Sequence, residues 1–219
     1  MQVKRSCISF ILEIFNKCSF PYRFYQQKNK CIFIHIPKVA GTSILYALGK
    51  KSGGRDHLPW YVYYTASPKK FAAYFKFCFV RNPWDRVLSA YRYLKNGGNK
   101  TSDLSVAKAI ISFESFDRFV IDGLGRGYFR SYLLFLPQSY FIIGPTNEVM
   151  VDFVGRYENI EEDYKIVADR LDLSKSLPRI NVTQETDWNF YREAYCSNES
   201  ISVIAEIYRQ DIISFGYDF

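Results

Sequence analysis

Two short apolar runs, each followed closely by a turn and the start of a helix, constrain this chain more than any other feature. Cys31–Ile36 (CIFIHI) and Phe75–Val80 (FKFCFV) are β-rich, and one charged or imidazole residue interrupts each. A strand with one wet face alternates apolar and polar residues, whereas a continuous apolar run marks a strand covered on both faces. Pro37 ends the first run, and Thr42 or Ser43 is expected to cap a helix reaching about Gly49. After the second run, Asn82 is the expected cap and Pro83 takes the favoured first helical position. That helix runs through Tyr91 to about Asn96, where Gly97 and Gly98 stop it. Strand–helix alternation implies an α/β fold with a mostly parallel sheet between helices. Lys50–Pro59 reads as a polar loop. Further helices are expected at 103–111, 115–122, 159–171 and 198–213, and further strands at 139–143 and 149–154.

The chain has 219 residues, enough for one domain with its own core, expected as an N-terminal extension over 1–30 and a core over 31–219. Lys and Arg outnumber Asp and Glu by 29 to 22, a net charge of +7 that favours an anionic partner. The five cysteines form no C-x-x-C pair, and Cys31 and Cys78 lie in apolar runs. They read as reduced core thiols, neither a disulfide framework nor a zinc site. With two histidines in the chain, no metal site is expected. The best apolar stretch near the N-terminus, Cys7–Phe15, contains Glu13 and is far short of the roughly 20 residues of a membrane span. It reads as an amphipathic helix, compatible with peripheral membrane association.

Chemistry is concentrated at the two strand–helix junctions. In Ile36-Pro37-Lys38-Val39-Ala40-Gly41-Thr42-Ser43, backbone N–H groups at a helix start attract an anion. Gly41 permits close approach, Thr42 and Ser43 add hydroxyls, and Lys38 adds a mobile charge. An ordinary capped helix is the competing reading. Lys38 precedes the only glycine, so this is not the G-x-x-x-x-G-K-S/T loop of a magnesium-dependent kinase. In Phe79–Tyr91 (FVRNPWDRVLSAY), Arg81 stands at the carboxyl end of a strand, where ligands bind in open α/β sheets, and its guanidinium suits a phosphate. Ser89 follows about two turns into the helix. Arg86 is expected to form a salt bridge with Asp85, Asp56 or another acid. Trp84, Val87, Leu88 and Tyr91 have the spacing of core positions.

Taken together, HIPKVAGTS (35–43) and FVRNPWDRVLSAY (79–91) resemble the sulfotransferase superfamily. The likeness is closest to its glycan-directed branch, which includes heparan sulfate 2-O-sulfotransferase and bacterial relatives. VDFVGRYENIEEDY (151–164) and IYRQDIISFGYDF (207–219) extend it over about residues 31–219. The resemblance implies a P-loop-like three-layer sandwich and a donor, 3′-phosphoadenosine 5′-phosphosulfate (PAPS), used without a metal. By it, Lys38, Gly41, Thr42 and Ser43 hold the 5′-phosphosulfate, Arg81 and Ser89 the 3′-phosphate, and Tyr157 lies near the adenine. Arg156 and Glu158 are expected to pair with each other. The loop Pro178–Asn181 is a further nucleotide candidate.

Sulfuryl transfer to a hydroxyl needs a base, in-line alignment and stabilisation of the leaving phosphate. Lys38 suits the last task. His57, in the polar loop between the motifs, is the expected general base, with Asp56 as orienter or substitute; the competing reading is a surface-loop histidine. His35 is expected to brace the turn. The acceptor is expected to be a saccharide, possibly acidic, with Arg118, Arg126, Arg130 and Gln138 as weak contacts. Rivals are a lipid or small-molecule hydroxyl acceptor, a P-loop kinase, and a basic nucleic-acid-binding module. The last would rest on Tyr128-Phe129-Arg130-Ser131-Tyr132, too short a stripe to make nucleic acid the expected partner. Golgi relatives carry an N-terminal anchor that this sequence lacks, which favours a bacterial cytoplasmic enzyme over an excised Golgi-lumenal domain. The sequons at Asn99, Asn181 and Asn198 are then chance.

Overall fold

A computed structural model describes residues 19–50, 54–178 and 191–219. The expected N-terminal helix, Cys7 and Cys18, and all of the 178–181 loop except Pro178, lie outside the described residues. Three parallel strands, β1 (Cys31–Ile34), β2 (Phe75–Val80) and β3 (Phe153–Arg156), form a sheet in the order β1-β2-β3. Ile34 pairs with Cys78, and Val80 with Arg156. All residues of β1 and all but Phe75 of β2 are buried, so both sheet faces are covered, as their apolar runs require. Phe33 stacks on Phe77 at 5.1 Å, and the ladder continues through Phe79 to Phe153 at 6.5 Å steps.

The helices are α1 (Phe24–Asn29), α2 (Gly41–Ala47), α3 (Trp60–Ala66), α4 (Pro68–Ala73), α5 (Pro83–Lys95), α6 (Leu104–Ile111), α7 (Phe116–Arg118), α8 (Ser139–Ile142), α9 (Ile160–Leu171), α10 (Asn198–Ile207) and α11 (Arg209–Phe215). The Asn82 side chain accepts from the Trp84 N–H at 3.0 Å and caps α5 with Pro83 in its first turn; positive φ at Gly97 and Gly98 follows its end. Cys31 and Cys78 are buried free thiols.

Two hydrophobic clusters result. One surrounds the sheet with α2 and α9; the other joins α5, α6, α7 and α10 around Phe119 and Phe135. The π-helical turn Phe119–Gly125 continues α7 in place of the single helix expected at 115–122.

Four expectations are corrected. Residues 139–142 are helical, because the buried Asp211 carboxylate accepts from the Gln138 and Ser139 N–H groups, both at 2.8 Å, and so caps α8 from the far end of the chain. The strand expected at 149–154 begins at Phe153, after Asp152 Oδ2 takes the Lys76 N–H at 2.8 Å; Ile143 and Val149 form only an isolated antiparallel bridge. The helix expected over 198–213 is two helices, broken at Tyr208, whose hydroxyl donates to the Phe135 carbonyl at 2.7 Å. Finally, Thr42 and Ser43 do not cap α2: its N-cap is Ala40, in the left-handed region at φ +58°, with no capping side chain.

Candidate active site

All three strands release their chains at one end of the sheet, and the site is built there. After β1, residues 35–40 turn sharply, with Lys38 at φ +69° and Ala40 at φ +58°. The buried His35 ring packs directly against Gly41. A Cβ at position 41 would lie 1.9 Å from His35 Nε2, so only glycine fits. We expect Gly41→Ala to cost about 1–3 kcal/mol of stability through overpacking, read by urea denaturation. Thr42 is half-buried and Ser43 buried in the first turn of α2.

His57 lies against His35, ring centroids 4.1 Å apart. Its Nδ1 is 2.8 Å from the His35 carbonyl oxygen. A carbonyl only accepts, so in the neutral ring Nδ1 carries the hydrogen and Nε2 keeps its lone pair. Burial and the nearby cations Arg55 and Lys50 lower the pKa of His57; the His35 hydrogen bond and Asp56 oppose this. The ring is therefore neutral at pH 7. Asp56 is not its orienter. The Asp56 carboxylate takes the Arg23 guanidinium at 2.8 and 3.0 Å and lies 3.8 Å from Lys50 Nζ. The His35 main chain does the orienting. His35 itself is fully enclosed, and burial first, then His57, drives its pKa well below 6.5. Its Nδ1 is buried without a hydrogen-bond partner.

Lys38 Nζ sits 4.4 Å above the Tyr93 ring. Desolvation, then repulsion from Arg81 and Arg55, lowers its pKa to about 8. Tyr93 in turn donates to Asp103 Oδ2 at 3.0 Å, and Asp103 Oδ1 accepts from Tyr132 at 2.6 Å. These bonds hold the Asp103 carboxyl below its ordinary value although its burial raises it.

Arg81 leaves β2 beside this turn. Its Nε and Nη2 donate to Asp85 at 2.6 and 2.8 Å, and its Nη1 donates to the Lys38 carbonyl at 3.2 Å. Asp85 therefore occupies the bidentate edge of the guanidinium, and two of the five N–H donors remain for another anion. The guanidinium also stacks 4.0 Å over Tyr157. The sheet register explains this: Val80 pairs with Arg156, so the next residues on β2 and β3 emerge side by side. Gln138 does not face outward. It is fully buried, accepts the Arg81 N–H at 2.9 Å and donates to the Arg81 carbonyl at 2.8 Å. Ser89 lies half-buried on α5, between Asp85 and Tyr93 at steps of four residues that keep them on neighbouring parts of one helical face.

Two expected ion pairs are replaced. Arg86 is fully buried, and with Asp85 already on Arg81 it donates instead to the Leu134 and Leu136 carbonyls, at 3.1 and 2.7 Å, over the Tyr208 ring. Arg156 and Glu158 also take separate partners. Glu158 accepts from the Asn82 N–H at 2.6 Å and from Tyr217 at 3.0 Å, while Arg156 bonds the Phe215 carbonyl and stacks on Tyr217.

The profile of the sulfotransferase family matches residues 22–218, nearly the whole chain. The chain belongs to this family. Among relatives of this sulfotransferase, an uncharacterized protein of Archaeoglobus fulgidus is 32% identical over 130 residues, covering 59% of this chain and 94% of its own. Carbohydrate sulfotransferase 11 of Mus musculus is 24% identical, covering 87% of this chain and 65% of its own. Carbohydrate sulfotransferase 14 of Danio rerio is also 24% identical, covering 66% and 46%. The chain thus spans under two thirds of each of these two carbohydrate sulfotransferases. No solved structure matches it.

For this sulfotransferase, sequence reasoning missed three participants. Arg55, exposed in the inter-motif loop, lowers the pKa values of Lys38, His35 and His57 and so joins the two sides of the site electrostatically. Tyr93 was detectable as the residue four beyond Ser89 on α5. The His35 carbonyl carries no side-chain signal at all. The weak acceptor candidates are engaged locally: Arg118 and Arg126 flank Asp122 at 3.5 and 2.8 Å, and Arg130 donates to the Leu124 and Gly125 carbonyls. Among the described residues, no group of His, Cys, Asp or Glu is arranged to hold a metal, and no helix is long and apolar enough to cross a membrane.

Proposed function

We propose that this sulfotransferase moves the sulfuryl group of PAPS to a hydroxyl of a carbohydrate. The supporting observation is the gathering of Lys38, Arg55, Arg81 and a neutral His57 with a free Nε2 at the carboxyl end of one parallel sheet. The names of the two carbohydrate sulfotransferases support the acceptor class.

In this reading, Lys38 with the Gly41–Ser43 backbone and hydroxyls holds the 5′-phosphosulfate. Arg81, through its remaining N–H groups, holds the 3′-phosphate with Ser89. Tyr157 stands by the adenine. His57 Nε2 takes the acceptor hydroxyl proton as the acceptor oxygen bonds sulfur. The bond from sulfur to the bridging phosphate oxygen breaks, and the Lys38 ammonium meets the charge left on that oxygen. No metal enters this scheme.

Calorimetry with 3′-phosphoadenosine 5′-phosphate, without magnesium and beside ATP and 5′-AMP, tests the donor. We expect tight binding that depends on the 3′-phosphate. Arg81→Ala should weaken it about ten- to a hundredfold and leave 5′-AMP nearly unchanged. An equal loss for both nucleotides would refute the assignment of Arg81, and a magnesium-dependent preference for ATP would refute the donor.

A further inference from the structure

The stripe Tyr128–Tyr132 lies beside α6, and between them opens a pocket of ≈ 370 Å³ lined by Tyr128, Phe129, Ser131, Tyr132 and Ser105, among others. The pocket is a shallow, open depression in the surface rather than an enclosed cavity. Tyr128 is 73% exposed, more than any other large apolar or aromatic residue described. The lining contains aromatic faces and hydroxyls and no acidic residue. Lys108, exposed and carrying a positive charge, follows the lining residues Ser105 and Val106 on α6. The pocket is also tied to the reaction site. Tyr132, one of its walls, bonds Asp103 at 2.6 Å; Asp103 takes Tyr93 at 3.0 Å; and Tyr93 lies 4.4 Å under Lys38 Nζ.

We infer that this pocket seats a sugar ring of the acceptor, most favourably a negatively charged one, on the side of the reaction site joined to Lys38 through Tyr132, Asp103 and Tyr93. The inference rests on the carbohydrate reading above and names where the acceptor is held. Sugar rings present C–H faces that pack on aromatic rings and rims of hydroxyls that bond Ser and Tyr side chains. Single-stranded nucleic acid would need a groove of free cations following its backbone. Here Arg126 is held by Asp122 at 2.8 Å, and Arg130 is committed to two backbone carbonyls. A short pocket of this make suits a saccharide better.

The full chain is passed over immobilised hyaluronan, alginate and polygalacturonate as uronic-acid polymers, and dextran as a neutral one. We expect retention on at least one uronic-acid polymer. Tyr128→Ala, at an exposed site, and Ser131→Trp, which fills the pocket, should each weaken it about tenfold or more. Affinity for 3′-phosphoadenosine 5′-phosphate should stay unchanged in both variants. Unaltered retention in the variants, retention of the wild type on none of the three uronic-acid polymers, or displacement of the wild type from them by oligothymidylate at comparable concentration would each overturn the inference. Failure of the donor reading is separate: it shows as a wild-type protein that does not bind 3′-phosphoadenosine 5′-phosphate, whatever the polymers do.

Discussion

Lys38→Ala is expected to lower kcat about a hundred- to a thousandfold, the usual loss when one preorganised donor to a developing oxyanion is removed. The ammonium lies over the Tyr93 ring while Arg81 holds the Lys38 main-chain carbonyl, so the residue is anchored beside the turn before the leaving oxygen gains charge. Affinity for the nucleotide product should fall much less than kcat, because Arg81 and the helix start remain. The pH dependence gives an independent check. Lys38 must be protonated to act, and in the free protein its pKa is lowered to about 8. The alkaline limb of kcat/KM, which reports the free enzyme, should therefore fall near that value. A bound phosphosulfate raises the pKa of a lysine beside it, so the alkaline limb of kcat should lie higher. Near-normal turnover in Lys38→Ala would remove the residue from the mechanism.

His57→Ala is expected to reduce kcat about a hundred- to ten-thousandfold while the nucleotide product binds as before. A base works deprotonated, and burial lowers the His57 pKa below 6.5. Activity should thus hold down through pH 6.5 and decline only as the pH falls through that lowered value. The acid limb should disappear in the residual activity of His57→Ala. His57→Gln, which keeps a donor toward the His35 carbonyl but has no basic nitrogen, should be as slow as alanine. Normal chemistry with lost binding would make His57 a structural residue and reopen the question of the base.

How legible these features were in the sequence follows the range of the forces involved. The strands at 31 and 75, the Asn82 cap, Pro83 and the glycine stop obey local rules, so they can be read from neighbours in the chain. The same holds for Arg81, Lys38 and Gly41, which stand at fixed offsets from strand ends. Features set by distant residues were not legible. Ser139–Ile142 has a β-rich composition, yet a carboxylate 72 residues away from Ser139 caps it as a helix. Arg86 has an acid beside it in sequence, but Asp85 points to Arg81 one turn earlier, and Arg86 is left to satisfy two carbonyls near residue 135. The orienter of His57 is a main-chain oxygen 22 residues back, which no side-chain pattern encodes.

The separation into two hydrophobic clusters has a consequence for how such a protein diversifies. The groups assigned to the donor hang mainly from the strand ends of the sheet cluster, whereas Tyr128, Phe129 and Tyr132 line the rim of the helical one. Substitutions at Tyr128 or Phe129 can accumulate without disturbing the turn at Gly41 or the Arg81–Asp85 pair, whereas Tyr132 stays tied to Lys38 through Asp103 and Tyr93. On the acceptor reading proposed above, descendants of one ancestor can then exchange one sugar for another at these two positions while inheriting the proposed donor groups intact, a separation of heritable parts written into the packing.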